Sequence, residues 1–204
     1  MWYNEGKTDN ARCTTAVKRS VEPRTTVFPT PAFVVATYGA QGKPNAMTVA
    51  WAGICSSRPP TIGIALRKAT LTYHNIMERK AFTVNVPSER YVAEVDYLGI
   101  ATGRDEDKFA VTGLTAQPGV VVDAPYIDEF PMVLECSLVT TVDLGLHTQF
   151  IGEILDLRVD EEVIGARGAP DAEKVKPIVY SPEMRRYYGL GGFLGKAFSL
   201  GKTV

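Results

Sequence analysis

The chain has 204 residues, 45% of them hydrophobic, and a formal net charge of -1 at neutral pH. That length and apolar content suit one domain with a sizeable core. The near-zero charge excludes the long-range basic field that draws proteins to nucleic acid or to an anionic membrane. Partners are therefore expected to be small molecules or proteins. Cys13, Cys55 and Cys136 are odd in number and far apart, with no CxxC pair and no histidine pair to complete a zinc site. A reducing cytoplasm is the natural setting. The polar opening MWYNEGKTDNARC and the lack of any run of roughly 20 apolar residues point neither to export nor to a spanning helix.

Residues 1–25 show no sustained hydrophobic period and read as an arm, with residues 26–204 as the folded domain. From Ala32 onward, β-rich runs alternate with turn signals: FVVATYG, Gln41-Gly42-Lys43-Pro44, NAMTVAWAG and Arg58-Pro59-Pro60. TIGIALR places Ile62, Ile64 and Leu66 on one face and Thr61, Gly63, Ala65 and Arg67 on the other. After Arg67-Lys68-Ala69 the period changes, and TLTYHNIMERK predicts a helix capped by Thr70. AFTVNVP returns to strand. SERYVAEVDYLGIA predicts a second helix, followed by a loop around Thr102-Gly103-Arg104-Asp105 that leads into Asp107-Lys108-Phe109. MVLECSLVTTVDL and HTQFIGEILDLRV predict a hairpin turning at Gly145. VIGARGAPDAEKVK reads as loop, PIVYS as the last short strand, and YYGLGGFLGKAFSLG as a Gly-rich C-terminal segment. Strands with scattered helices give a mainly β fold, a sheet or barrel with flanking helices.

Several familiar motifs fail. In GLGGFLGK, Leu190 stands where a P-loop needs its first glycine, and Ala197 replaces the hydroxyl residue after the lysine. A dinucleotide loop needs a preceding strand, a following helix and an acidic residue about 20 positions on, a pattern that these glycines do not show, so they are expected to permit close packing or turns. No GxSxG elbow supports a hydrolase.

Two clusters remain. At Leu66-Arg67-Lys68-Ala69-Thr70-Leu71-Thr72 a helix N-terminus meets Arg67, Lys68 and the hydroxyls of Thr70 and Thr72, which makes a ready phosphate site. The plainer reading is that Thr70 only caps the helix while the cations face water. NAMTVAWAGICSS mixes Asn45, Thr48, Trp51, Cys55 and Ser56 into an apolar run, the mixture a flat heteroaromatic ring with a polar edge needs. Trp51 alone is more simply a core residue.

Together these segments resemble flavin-reductase-like proteins, flavoredoxins in particular. The resemblance runs from Pro29 to the C-terminus through NAMTVAWAGICSSRPPTIGIALRKATLTYHNIMERKAFTVNVPS, YLGIATGRDEDKFAVTGLT, APYIDEFPMVLEC, GLHTQFIGEILDL and VKPIVYSPEMRRYYGLGGFLGKAFSLGK. It implies an FMN-binding split barrel of Greek-key type that works as a homodimer, with each flavin near the subunit interface. It also implies that Asn45, Ala46, Met47, Thr48 and Trp51 meet the ring, with Cys55 and Ser56 close by. Arg67, Lys68, Thr70 and Thr72 would hold the phosphate end. Lys108, His147 and Tyr180 would complete the site, with His147 as the catalytic candidate. Lys108 has a plainer alternative as a surface pair within its acidic loop. Many relatives carry Gly-Asp-His before the last long strand, whereas Leu146 stands here in place of the aspartate. The functions implied are FMN-based electron transfer, flavin reduction with NAD(P)H for a partner oxygenase, or flavin binding without turnover. A redox protein partner fits the first.

Overall fold

The structure, a computed structural model, describes residues 16–203. Residues 1–15 of the expected N-terminal arm lie outside the described residues, and residues 16–26 are exposed and carry no helix or strand. Seven strands form one antiparallel sheet in the order β3-β2-β6-β9-β10-β5-β4. They are β2 (Phe33–Tyr38), β3 (Pro44–Val49), β4 (Ala52–Ser57), β5 (Pro60–Arg67), β6 (Ala81–Val86), β9 (Met132–Asp143) and β10 (His147–Val159). Two small sheets accompany it. One contains β1 (Thr30–Pro31), β11 (Val179–Ser181) and β12 (Arg186–Tyr188), the other β7 (Ala116–Pro118) and β8 (Pro125–Ile127).

The large sheet curls around its own apolar face. Val35, Ile62, Ile64, Phe82, Val84 and Phe150, drawn from four of its strands, lie in one buried cluster. Period-2 alternation sends the neighbours of these residues outward. Val34, Ala36 and Ala46 therefore join a second cluster under helix α2 (Val92–Ile100) and helix α3 (Lys108–Thr112), with Val95, Leu98 and Phe109. Strand β2 is buried on both faces for this reason. Gly152 keeps the inner face passable, since a Cβ there would come within 2.5 Å of the Phe82 ring.

Helix α1 (Leu71–Arg79) begins where the sequence predicts, with the Thr70 hydroxyl accepting from the Tyr73 amide. The β9–β10 hairpin also forms as expected. Gly145 takes φ +86°, a conformation that costs glycine least, and the Asp143 carboxylate accepts its amide.

Three expectations are corrected. NAMTVAWAG is not one strand: the chain bends at Ala50 and Trp51, so that β3 and β4 lie at opposite edges of the sheet. PIVYS is not the last strand, because β12 pairs with it and extends its small sheet. The loop-like run near residue 170 contains helix α4 (Ala172–Val175), which Asp171 caps through the Glu173 amide and Val175 anchors in the core. No helix among the described residues is long and apolar enough to cross a membrane.

Candidate flavin site

Strand β5 runs into α1 through a tight turn in which Thr70 N donates to the Arg67 carbonyl at 3.0 Å. The Thr70 hydroxyl donates to the same carbonyl and accepts from Tyr73 N, so the capping role is real. Beside this turn lies a cavity of about 620 Å3. Arg67, Lys68, Thr70 and Thr72 stand on one wall, Asn45 and Met47 of β3 on another. The third wall is the α2–α3 connection, from Ala101 to Gly103, with Lys108 behind it. The first amides of a helix lack intrahelical acceptors, so this end of α1 offers donors and a positive dipole end.

Within the cavity, Asn45 is 5% exposed. Its Nδ2 donates to Thr72 Oγ1 at 2.9 Å, while its Oδ1 is buried and has no partner. An unpaired buried acceptor is costly, which marks Oδ1 as a place for a ligand donor. Gly103 makes the space, because a Cβ there would lie 2.1 Å from that oxygen.

Lys108 is 4% exposed and forms no ion pair among the described residues. Its Nζ donates to the carbonyls of Leu98 at 3.1 Å and Ala101 at 3.2 Å, which closes the C-terminal end of α2. Burial lowers its pKa to about 8. The surface-pair alternative is thereby corrected: Asp107 instead caps α3 and lies within ion-pair range of Lys43. Lys68 is held outward by Asp143, whose hydrogen bond raises the lysine pKa and is itself the main cause of the lowered Asp143 value. Arg67 is exposed at the mouth with no carboxylate partner among the described residues.

Other candidate residues sit elsewhere. Ala46 and Thr48 face away from the cavity, because alternate residues of β3 point to opposite sides. Ala46 is core, and Thr48 donates its hydroxyl to the Val95 carbonyl, tying β3 to α2. His147 is paired in register with Arg67 on the outer face of the sheet, and Ala65 donates to the Trp51 carbonyl at the bend. Cys55 is exposed on edge strand β4, where its Sγ would lie 2.8 Å from a Cβ on Gly63. The Ser56 hydroxyl turns to the Arg58 backbone. Tyr180 belongs to the small sheet, its ring 5.2 Å from that of Tyr187, outside the cavity wall. Sequence reading missed the wall residues Gly99, Ala101 and Gly103, and named Leu71 and Leu146 without assigning them to the site. The one signal for them was the glycine after Thr102, which read only as a loop.

An antiparallel sheet curled on its core, with a cavity lined by cations, hydroxyls and helix amides at its β5–α1 turn, defines a split-barrel protein. A flavin reductase like domain matches residues 24–190, and the chain belongs to that family. It is 52% identical to a flavoredoxin of Desulfovibrio vulgaris (Miyazaki F), with a TM-score of 0.87 over 91% of this chain and 100% of that one. An uncharacterized protein from Archaeoglobus fulgidus is 36% identical over 55% of this chain. One from Aeropyrum pernix is 30% identical over 75% of it. The matches span 64% and 58%, respectively, of the lengths of those two curated relatives.

Proposed function

We propose that this chain is an FMN-binding flavoprotein of flavoredoxin type, which keeps its cofactor and carries electrons between partners. The observation that carries this reading is the pairing of two buried polar groups in one cavity. Among the described residues Asn45 Oδ1 has no donor and Lys108 has no anion. Both stand beside the first turn of α1 and Arg67, which has no carboxylate partner among the described residues. That set fits a ligand with an anionic end and a flat polar body. The 52% identity to a flavoredoxin supports FMN.

In this reading Arg67, Thr72 and the first amides of α1 hold the phosphate, with Lys68 and Thr70 beside them. Asn45 accepts from the ligand, Met47 packs against it, and Lys108 supplies a positive charge through the N–H left over after its two carbonyl bonds. Bound FMN would supply reversible electron uptake, and the protein supplies position and electrostatics. His147 stands beside Arg67 at the cavity mouth, whereas Trp51, Cys55 and Ser56 lie on or near the outer face of the sheet and reach the flavin if that face closes on a second copy, with a homodimer as the working unit. His147 acts there as the proton-exchanging group. Residues 26–204 act as one cytoplasmic unit, with no nucleic-acid or membrane partner.

The second reading is a reductase that uses NAD(P)H and releases reduced FMN to an oxygenase, which the family also suggests. The visible spectrum separates the two. A carrier leaves the desalting column yellow, is bleached by dithionite, and shows no turnover of added FMN with NADH or NADPH. A colourless protein that oxidises either nucleotide when FMN is added is a reductase. Failure to bind flavin under any condition overturns both.

A further inference from the structure

The connection between α2 and α3 covers the buried acceptor of the cavity. Ala101, Thr102 and Gly103 form one wall, and Gly103 sits so close over Asn45 Oδ1 that an added Cβ would lie 2.1 Å from it. That oxygen is buried and has no partner among the described residues. A buried acceptor without a donor costs free energy that water or a ligand would recover, so it favours lifting the wall that covers it. Other contacts must hold that wall down.

The connection is tied at several points. Within it, the amides of Asp105 and Glu106 both donate to the Thr102 carbonyl at 3.2 Å, and the Arg104 amide donates to the Thr102 hydroxyl. The Lys108 ammonium donates to the Ala101 carbonyl, the Tyr97 hydroxyl donates to Glu106, and Asp107 lies 4.0 Å from Lys43. These ties run to α2, to α3 and to the turn before β3. One contact differs. Arg104 Nη1 donates at 3.0 Å to the carbonyl of Ala69, which belongs to the opposite wall. Among the described residues it is the one hydrogen bond or ion pair that joins residues 101–107 to the β5–α1 turn. Arg104 is exposed and does not line the cavity, so its side chain spans the rim without filling the site.

We propose that Arg104 is a positioning residue that latches the α2–α3 connection across the cavity, and so sets how fast the ligand enters and leaves. The proposal rests on the flavin reading for the identity of the ligand, and on the geometry alone for the latch. A latch that is present with and without ligand changes both rates together and leaves the affinity nearly unaltered. A cation that touches the phosphate behaves otherwise, since its removal speeds release and weakens binding. One exposed bond to a neutral carbonyl is a modest restraint, equivalent to about a fivefold change in how often the rim opens.

Two measurements on Arg104→Ala test it, after urea unfolding has shown that the fold is kept. The first needs no flavin. In a Cys13→Ser, Cys55→Ser background, Asn45→Cys places a thiol beneath Gly103, and its labelling by a disulfide reagent reports lifting of the wall; Cys136 stays buried and serves as the slow control. Labelling is expected to be about fivefold faster when Arg104→Ala is added. The second follows FMN by stopped-flow fluorescence in the chain with Asn45 intact. Association and release are both expected to be about fivefold faster, with a dissociation constant within about twofold of the parent's. An unchanged labelling rate would overturn the latch whether or not flavin binds. Faster release with unchanged or slower association would make Arg104 a direct ligand of the phosphate, and would overturn it equally. A parent that binds no flavin would refute the flavin reading, and the labelling rate alone would then decide the latch.

Discussion

Lys108 is buried between the carbonyls of Leu98 and Ala101, and burial takes its pKa down to about 8. In an unfolded chain a lysine keeps its proton to about pH 10.4. Between these two values the unfolded state binds more protons, so this residue makes stability rise with pH; below about 8 the penalty of the buried charge is present in full. The parent should therefore gain stability relative to Lys108→Met between pH 8 and 10, as read by urea unfolding of flavin-free protein. In the same window the lysine loses the charge assigned to the ligand. FMN affinity should fall as pH passes about 8 in the parent and stay level in the variant. A flat difference in stability would show that the ammonium is not buried in solution. A parallel pH profile of FMN affinity in both proteins would place its charge away from the ligand.

Among the elements, β9 carries the other buried charge of interest. Glu135 is fully buried, and its carboxylate accepts from the amides of Val120 and Val121, with Arg158 at 3.8 Å. It holds the connection between β7 and β8 against the sheet. Charge-assisted bonds to backbone amides are the stronger kind, and removing the acceptor leaves both part-buried amides without their partner. Glu135→Ala should cost about 2–5 kcal/mol in chemical denaturation, with the loss concentrated in hydrogen exchange at residues 119–121. A cost under about 1 kcal/mol would mean that water replaces the carboxylate. The elements also show how far sequence reaches. The alternation of TIGIALR, the Thr70 cap and the Gly145 turn were legible, because each is a local rule written in neighbouring residues. The bend at Trp51 was not, since no glycine or proline marks it. Nor was the split of β3, in which Asn45 and Met47 line the cavity while Ala46 and Thr48 serve the α2 packing. Four consecutive strand positions, 45–48, cannot all meet one ligand, because a strand shows alternate residues to opposite faces.

At the scale of the whole molecule, the cavity joins four separate segments, residues 45–47, 67–72, 99–108 and 145–146, and only the folded sheet brings them together. The resemblance supplied the cofactor and the phosphate wall, but the burial of Lys108 and the clearance at Gly103 are tertiary facts. The central claim is that one end of this cavity recognises a phosphate and the rest a flavin body. Its most direct test is the affinity of FMN and of riboflavin for the parent and for the Arg67→Ala, Thr72→Ala variant, measured by quenching of flavin fluorescence. The account expects FMN to bind the parent far more tightly than riboflavin, and the double substitution to remove about tenfold or more of FMN affinity while barely changing that of riboflavin. Equal losses for the two ligands, or a parent that does not distinguish them, would contradict it.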